Sequence, residues 1–193
     1  MQPDPPLVLA SSSRYRAALL ERLQLRFSVL APEVDESALD GEAPAALALR
    51  LARLKAETGA YSMPGAVVIG SDQVAECDGR ALGKPGTAER AERQLLALQG
   101  RTVRFHTAVS VTDGRSAHAE NVSTVVRMRR LDAEQIARYV RLDQPLDCAG
   151  AFKSEALGIS LFESLQSEDP TALVGLPLIA TVRLLARFGI ALP

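Results

Sequence analysis

Short, almost wholly apolar runs alternate along the chain with longer stretches in which leucines recur at helical spacing, a pattern that predicts strands interleaved with amphipathic helices. Leu7 to Ala10 reads as a short buried strand feeding a serine-rich turn, and leucines at 19, 20 and 23 place a helix over Arg16 to Leu25. Leu25 to Leu30 predicts a second strand, ending in the acidic loop Pro32-Glu33-Val34-Asp35-Glu36-Ser37. Pro44 suits a first helical turn, and Leu47, Leu51 and Leu54 mark the apolar stripe of a helix running to Gly59. Ala66 to Gly70 is apolar and β-branched, as a strand covered on both faces should be, and it delivers Ser71-Asp72-Gln73 at its end. Asp-Gly pairs at 78–79 and 113–114 mark hairpin turns, the second joining strands over about 101–112 and 117–128. Thr87 caps a helix that stops at Gly100, and Asp132 with Gln135 has the capping-box pattern for a helix to about Leu142. After Pro145 come a loop, a strand near Ile159 to Leu165 and a last helix from Pro177 to Phe188. The fold class expected is α/β, a mixed β-sheet flanked by helices.

With 193 residues the chain has room for one good-sized domain or two lobes sharing a core, and a single domain over residues 1–193 is expected. Its 47% apolar and 23% charged residues set aside disordered, collagen-like and coiled-coil classes. A net charge of −1 offers no overall positive field for a polyphosphate backbone, so no nucleic-acid partner is expected. Cys77 and Cys148 lie far apart, without metal-ligand spacing and too few for a disulfide framework, which fits a reducing compartment. Met1-Gln2-Pro3-Asp4-Pro5-Pro6 has an acid and prolines where a signal peptide would carry basic residues, and the apolar window Ala172 to Val182 is too short to cross a bilayer. A cytoplasmic protein without membrane association is the expectation.

The first candidate for chemistry is Ser11-Ser12-Ser13-Arg14-Tyr15-Arg16, where a buried strand gives way to a helix. Free backbone N–H groups, the positive end of the helix dipole, hydroxyls and guanidinium groups favour a phosphate there, although serines also cap helices and arginines also face solvent. It is not a Walker A loop. The second is the carboxylate set Glu33, Asp35, Glu36 and Asp72. An acid on an apolar strand asks for a hydrogen bond, an ion pair or a metal, and Glu36 beside Asp72 could hold Mg²⁺ or Mn²⁺ with water and phosphate oxygens. The third is lysine usage: Lys55, Lys84 and Lys153 are the only lysines among 22 basic residues. A retained ammonium suits a phosphate as a point charge, with composition bias the competing account. His106 and His118 fall in predicted hairpin strands as packing or surface residues, and Glu76 and Asp78 discourage a thiolate at Cys77.

Leu9-Ala10-Ser11-Ser12-Ser13-Arg14-Tyr15-Arg16, Glu33-Val34-Asp35-Glu36, Ala52-Arg53-Leu54-Lys55-Ala56, Gly70-Ser71-Asp72-Gln73-Val74, Leu82-Gly83-Lys84-Pro85, Cys148-Ala149-Gly150-Ala151-Phe152 and Val174-Gly175-Leu176-Pro177-Leu178 stand in the order of the Maf-like nucleotide pyrophosphatase family. The chain resembles that family from Leu7 to about Leu185. The resemblance implies an elongated, inosine-triphosphatase-like α/β fold with two lobes around a central cleft, and metal-dependent cleavage of a nucleoside triphosphate to monophosphate and pyrophosphate. By motif, Ser11, Ser13, Arg16, Lys55 and Lys84 would hold the triphosphate, Glu36 and Asp72 the divalent metal (Mg²⁺ or Mn²⁺), and Asp72 would be the general base. Gly70-Ser71-Asp72-Gln73 and Phe152-Lys153-Ser154-Glu155 resemble the 7-methyl-GTP branch, whose specificity positions fall on Tyr15, Gln73 and Glu155. The branch implies a small nucleotide as the partner. Two positions depart from it: Arg14 stands where the family usually has proline, and Tyr15 where the branch has tryptophan. A dTTP/UTP pyrophosphatase of the same family and a nucleotide-sensing, division-regulating module are the alternatives, and a homodimer is left open.

Overall fold

The computed structural model describes residues 5–193, so the reading of the N-terminal segment from Met1 lies largely outside the described residues. The first strand, β1 (Leu7–Ala10), is fully buried and leads to helix α1 (Arg14–Glu21). Ser13 caps α1 through its hydroxyl, and the left-handed Gln24 ends the descent, so the helix starts and stops earlier than the leucine spacing suggests. Strand β2 (Ser28–Leu30) follows. Helix α2 (Pro44–Ser62) carries a buried stripe of Leu47, Ala48, Leu51, Ala52, Lys55, Ala56 and Gly59, with Lys55 the one charged member.

Strand β3 (Val67–Cys77) does not stop at Gly70, as the apolar run implies, but continues through Ser71, Asp72 and Gln73. It turns at the left-handed Asp78-Gly79 pair into β4 (Arg80–Leu82). Helix α3 (Ala88–Leu98), the long hairpin β5 (Thr102–Thr112) and β6 (Ala117–Met128), and helix α4 (Ala133–Asp143) with its Asp132–Gln135 capping box follow their patterns. The expected strand at 159–165 is instead a 3-10 turn, Leu157–Leu161, and then β7 (Phe162–Ser167). The turn is imposed at Gly158, where an added Cβ would meet the Lys153 carbonyl oxygen at 2.4 Å. Helix α5 (Leu178–Ala186) closes the fold.

The sheet order is β2-β1-β3-β5-β6-β7, parallel across β2, β1 and β3 and antiparallel beyond, which makes it mixed. One edge of β3 pairs with β1 through Gly70 and, further along, with β4 from Ala75. Between them the edge from Ser71 to Val74 has no strand partner, and the cleft opens at that gap, where the strand direction changes. Separate apolar clusters lie on either side: Leu9, Leu20, Ile69 and Leu184 near α1 and α5, and Val103, Phe105, Ile136 and Phe152 near α3 and α4.

Candidate active site

Two steric facts carry Lys55 to Asp72. Gly70 has no side chain, so α2 lies directly on β3, and Lys55 projects from the buried stripe toward the unpaired stretch of strand. Its ammonium stands 2.7 Å from Asp72 Oδ1 and 2.5 Å from Glu36 Oε1. Asp72 is 8% and Lys55 6% exposed, so each satisfies the desolvation demand of the other. The Glu36 carboxyl is more open; partial burial raises its pKa, but the Lys55 hydrogen bond and the charges of Lys55, Lys84 and Arg16 outweigh that and hold it below its ordinary value.

The opposite wall comes from the turn after β1. Ser11 Oγ accepts from the Ser13 N–H at 3.2 Å and from Arg16 Nη1 at 3.2 Å. Arg16 Nε donates to the Gly175 carbonyl at 2.9 Å, and the same oxygen accepts from Ser71 Oγ at 3.1 Å. Burial lowers the Arg16 pKa from the ordinary arginine value, opposed by Asp72 and Glu36, and the side chain remains a cation fixed in direction. Lys84 reaches the same space from the loop after β4 without an ion-pair partner among the described residues.

These groups enclose a cavity of about 420 Å³ lined by Ser11, Ser13, Tyr15, Arg16, Glu36, Lys55, Asp72, Gln73 and Lys84, among others. A smaller cavity of about 120 Å³ adjoins it, sharing Tyr15, Gln73 and Lys84 and adding Phe152, Ser154 and Glu155. The residues that the resemblance places in the site, Ser11, Ser13, Tyr15, Arg16, Glu36, Lys55, Asp72, Gln73, Lys84 and Glu155, each line one of the two adjoining chambers, whereas Glu33 and Asp35 of the carboxylate set line neither. Gln73 points to the opposite face of β3 from Asp72, as successive strand residues must, and its Nε2 donates to Thr107 Oγ1, Ala172 O and Leu173 O. Its amide oxygen is the polar atom left for the chambers. Arg14 lies over Tyr15, with Cζ 4.9 Å from the ring centroid and Nη2 donating to the phenol oxygen at 2.9 Å.

Lys153 departs from the expectation of a phosphate-facing ammonium: it lines neither chamber and donates to the Asp143 carbonyl at 2.6 Å. His106 is buried against Glu76 at 2.7 Å, a packing role. Sequence reasoning passed over Asp147, which lines both chambers, and the Gly175 carbonyl on which Arg16 and Ser71 converge. Gly175 lay within a motif block, but a backbone carbonyl leaves no residue-type signal. Burial, then the Asp147 charge and hydrogen bond, push the neighbouring Cys148 thiol up to about 12, so no thiolate chemistry belongs here.

Among the described residues no cluster of three or more His, Cys, Asp or Glu forms a protein-only metal cage. What exists is a pair of oxygen donors, Glu36 and Asp72, already flanking one cation, Lys55 Nζ. That set fits a hard divalent ion that keeps water and phosphate oxygens in its remaining positions.

Architecture and site together define an α/β protein with a mixed sheet and a cleft in which Arg16, Lys55 and Lys84 gather around a strand-borne carboxylate, Asp72. The family model described as Maf-like protein matches residues 6–188, and the chain belongs to that family. It is 60% identical over 190 residues to a protein of Xanthomonas axonopodis pv. citri (strain 306) named 7-methyl-GTP pyrophosphatase, across 98% of this chain and 100% of the relative. A Bordetella pertussis protein of the same name is 54% identical over 186 residues, across 96% of this chain and 94% of its own. Among solved structures, a HAM1 protein from Coxiella burnetii is similar over 66% of this chain and 74% of that one, with a TM-score of 0.48 and 19% identity.

Proposed function

We propose that this protein is a nucleoside triphosphate pyrophosphatase that hydrolyses 7-methyl-GTP, or a similarly modified purine nucleotide, to the monophosphate and pyrophosphate. The full chain, residues 1–193, would act as one unit in the cytoplasm. One observation carries the reading: a buried carboxylate, Asp72, sits beside Lys55 at the floor of a chamber walled by Ser11, Arg16 and Lys84. The names of the relatives, at more than half identity over nearly the full length, support the same chemistry.

In this reading Arg16, Lys55 and Lys84, with the Ser11 and Ser13 hydroxyls, hold the triphosphate so that its α-phosphorus lies over Asp72. Asp72 takes a proton from a water; the water oxygen bonds to the α-phosphorus as the bridging oxygen to the β-phosphoryl group leaves. The charge that grows on pyrophosphate meets cations already in place, which is stabilisation without reorganisation. Glu36 and Asp72 would hold Mg²⁺ or Mn²⁺, and such an ion supplies Lewis-acid polarisation of phosphoryl oxygens and additional positive charge.

The smaller chamber would take the base. Methylation at N7 makes guanine cationic, so stacking on Tyr15 gains about 0.5–2 kcal/mol. Glu155 and the free amide oxygen of Gln73 are acceptors, matched to guanine N1–H and N2–H. Pyrophosphate release from a nucleotide panel with Mg²⁺ or Mn²⁺ tests the proposal: methylated GTP should lead, preference for UTP or dTTP would move the protein to the other branch, and silence on all triphosphates would remove the activity. Asp72→Asn should cut turnover by about a hundredfold or more while nucleotide still binds. Near-normal rates in that variant would remove the base.

A further inference from the structure

Glu155 makes one hydrogen bond among the described residues, accepting from Ser154 Oγ at a long 3.4 Å, and its side chain is exposed. Nothing at its own position fixes the carboxylate. The backbone that carries it is, by contrast, fastened at several points. Phe152 is buried in edge contact with Phe105 and Phe162, at centroid distances of 5.3 and 4.8 Å. The Lys153 N–H donates to the Tyr139 hydroxyl at 3.1 Å, and the Lys153 ammonium donates to the carbonyl of Asp143, the last residue of α4, at 2.6 Å. Tyr139 is 3% exposed, and burial first, with Asp143 beside it, raises its pKa well above the ordinary phenol range, so it keeps its proton. A cation on a terminal helical carbonyl satisfies a group the helix cannot and meets the negative end of its dipole.

From these contacts we infer that Lys153 is a positioning residue for base recognition: by clamping the loop to the C-terminal end of α4 it sets where Glu155 stands in the smaller chamber. The inference rests on the reading of that chamber as the base site. Lys153 does not touch the triphosphate chamber, so the clamp acts on which nucleotide is held and leaves phosphorus chemistry alone. A single residue, Ser154, separates the clamp from the carboxylate, and displacement on the scale of 1 Å is enough to forfeit a hydrogen bond to the base edge.

The test compares wild type with Lys153→Met, which keeps the stem and loses the donor, and with Lys153→Arg, which can still donate to the carbonyl. Steady-state kinetics on 7-methyl-GTP and GTP are paired with hydrogen exchange of the amides from 154 to 156. For Lys153→Met the expected result is a rise of about tenfold in KM for the preferred nucleotide, with kcat within about twofold and the methylated-to-plain preference reduced. Faster exchange across the loop, and recovery of both readouts in Lys153→Arg, complete the expectation. An unchanged preference with unchanged exchange overturns the clamp, and so does a collapse of kcat at constant KM, which would put the ammonium on the phosphates. If wild type shows no base preference, the substrate reading fails by itself, and exchange in Lys153→Met still decides whether the clamp exists.

Discussion

An added methyl group on Gly70 would meet the Ala52 carbonyl oxygen at 2.3 Å and the Ala56 nitrogen at 2.4 Å. Both are backbone atoms of α2, so neither can swing aside; the helix would have to lift from the strand. Lys55 lies on that helix and Asp72 two residues along that strand, which makes Gly70 the spacer that sets their 2.7 Å separation. Gly70→Ala is therefore expected to destabilise the protein by roughly 1–3 kcal/mol or more and to lower turnover by at least about tenfold even where the chain stays folded. Thermal melting and pyrophosphate release measured on the same sample check both halves, and an unaltered rate would show that α2 tolerates the shift. The sequence announces Asp72 as an acid needing a partner, but the partner comes from the preceding helix, brought over the strand by packing. The clue was present in α2, where Lys55 follows Leu47 and Leu51 at intervals of four on the apolar stripe, a place where a lysine is costly unless paired.

At the level of elements, the segment before α5 does more than connect. Asp169 is 2% exposed and its carboxylate is fully engaged: Oδ1 accepts from the Thr171 N–H at 3.0 Å and the Thr171 hydroxyl at 2.7 Å, and Oδ2 from the Ile179 N–H at 2.7 Å. It caps the first turn of α5 and ties down the loop whose Gly175 carbonyl receives Arg16 and Ser71. Asp169→Ala would strand those donors in the interior, an expected loss of about 2–4 kcal/mol by denaturant unfolding. It should also raise KM for any triphosphate through a loosened Arg16, irrespective of the base. A rise confined to one base would contradict this route. Most elements were legible because their signals are local: caps at Thr87 and Asp132, Asp-Gly turns, apolar runs. The end of β3 depends on a strand further along the chain, the late start of β7 on a tight backbone approach within its own loop, and the bounds of α1 on the Ser13 cap, none of which shows in apolar spacing. β3 continues because β5 pairs with it to Glu76, and extended structure is delayed to Phe162 because Gly158 packs on Lys153.

For the molecule as a whole, the near-neutral charge hides a local arrangement. Arg14, Arg16, Lys55 and Lys84 line the larger chamber against Glu36, Asp72 and Asp147, a surplus of a single positive charge. Two cations are partly spent in advance, since Lys55 is paired with both carboxylates and Arg14 lies on Tyr15. A triphosphate tail brings roughly four negative charges at neutral pH. Side chains alone thus leave most of that charge uncompensated in a partly desolvated cleft, where like charges repel strongly. A divalent ion on Glu36 and Asp72 would supply two of the roughly three positive charges still lacking. Removing divalent cations with a chelator is therefore expected to weaken nucleotide binding as well as catalysis, cutting turnover by about a hundredfold, with recovery on adding excess Mg²⁺ or Mn²⁺. Because the Glu36 pKa is held below its ordinary 4.5, its carboxylate is available throughout the range above that value and is lost only as the pH falls through the depressed one. The contribution of Glu36 to metal binding should accordingly hold from neutral into mildly acidic pH wherever the fold persists, judged by comparing metal titrations of wild type and Glu36→Gln at several pH values. Full activity in chelator would mean that the cationic walls suffice, and the charge count above would have to be redrawn around Lys84 and Arg14.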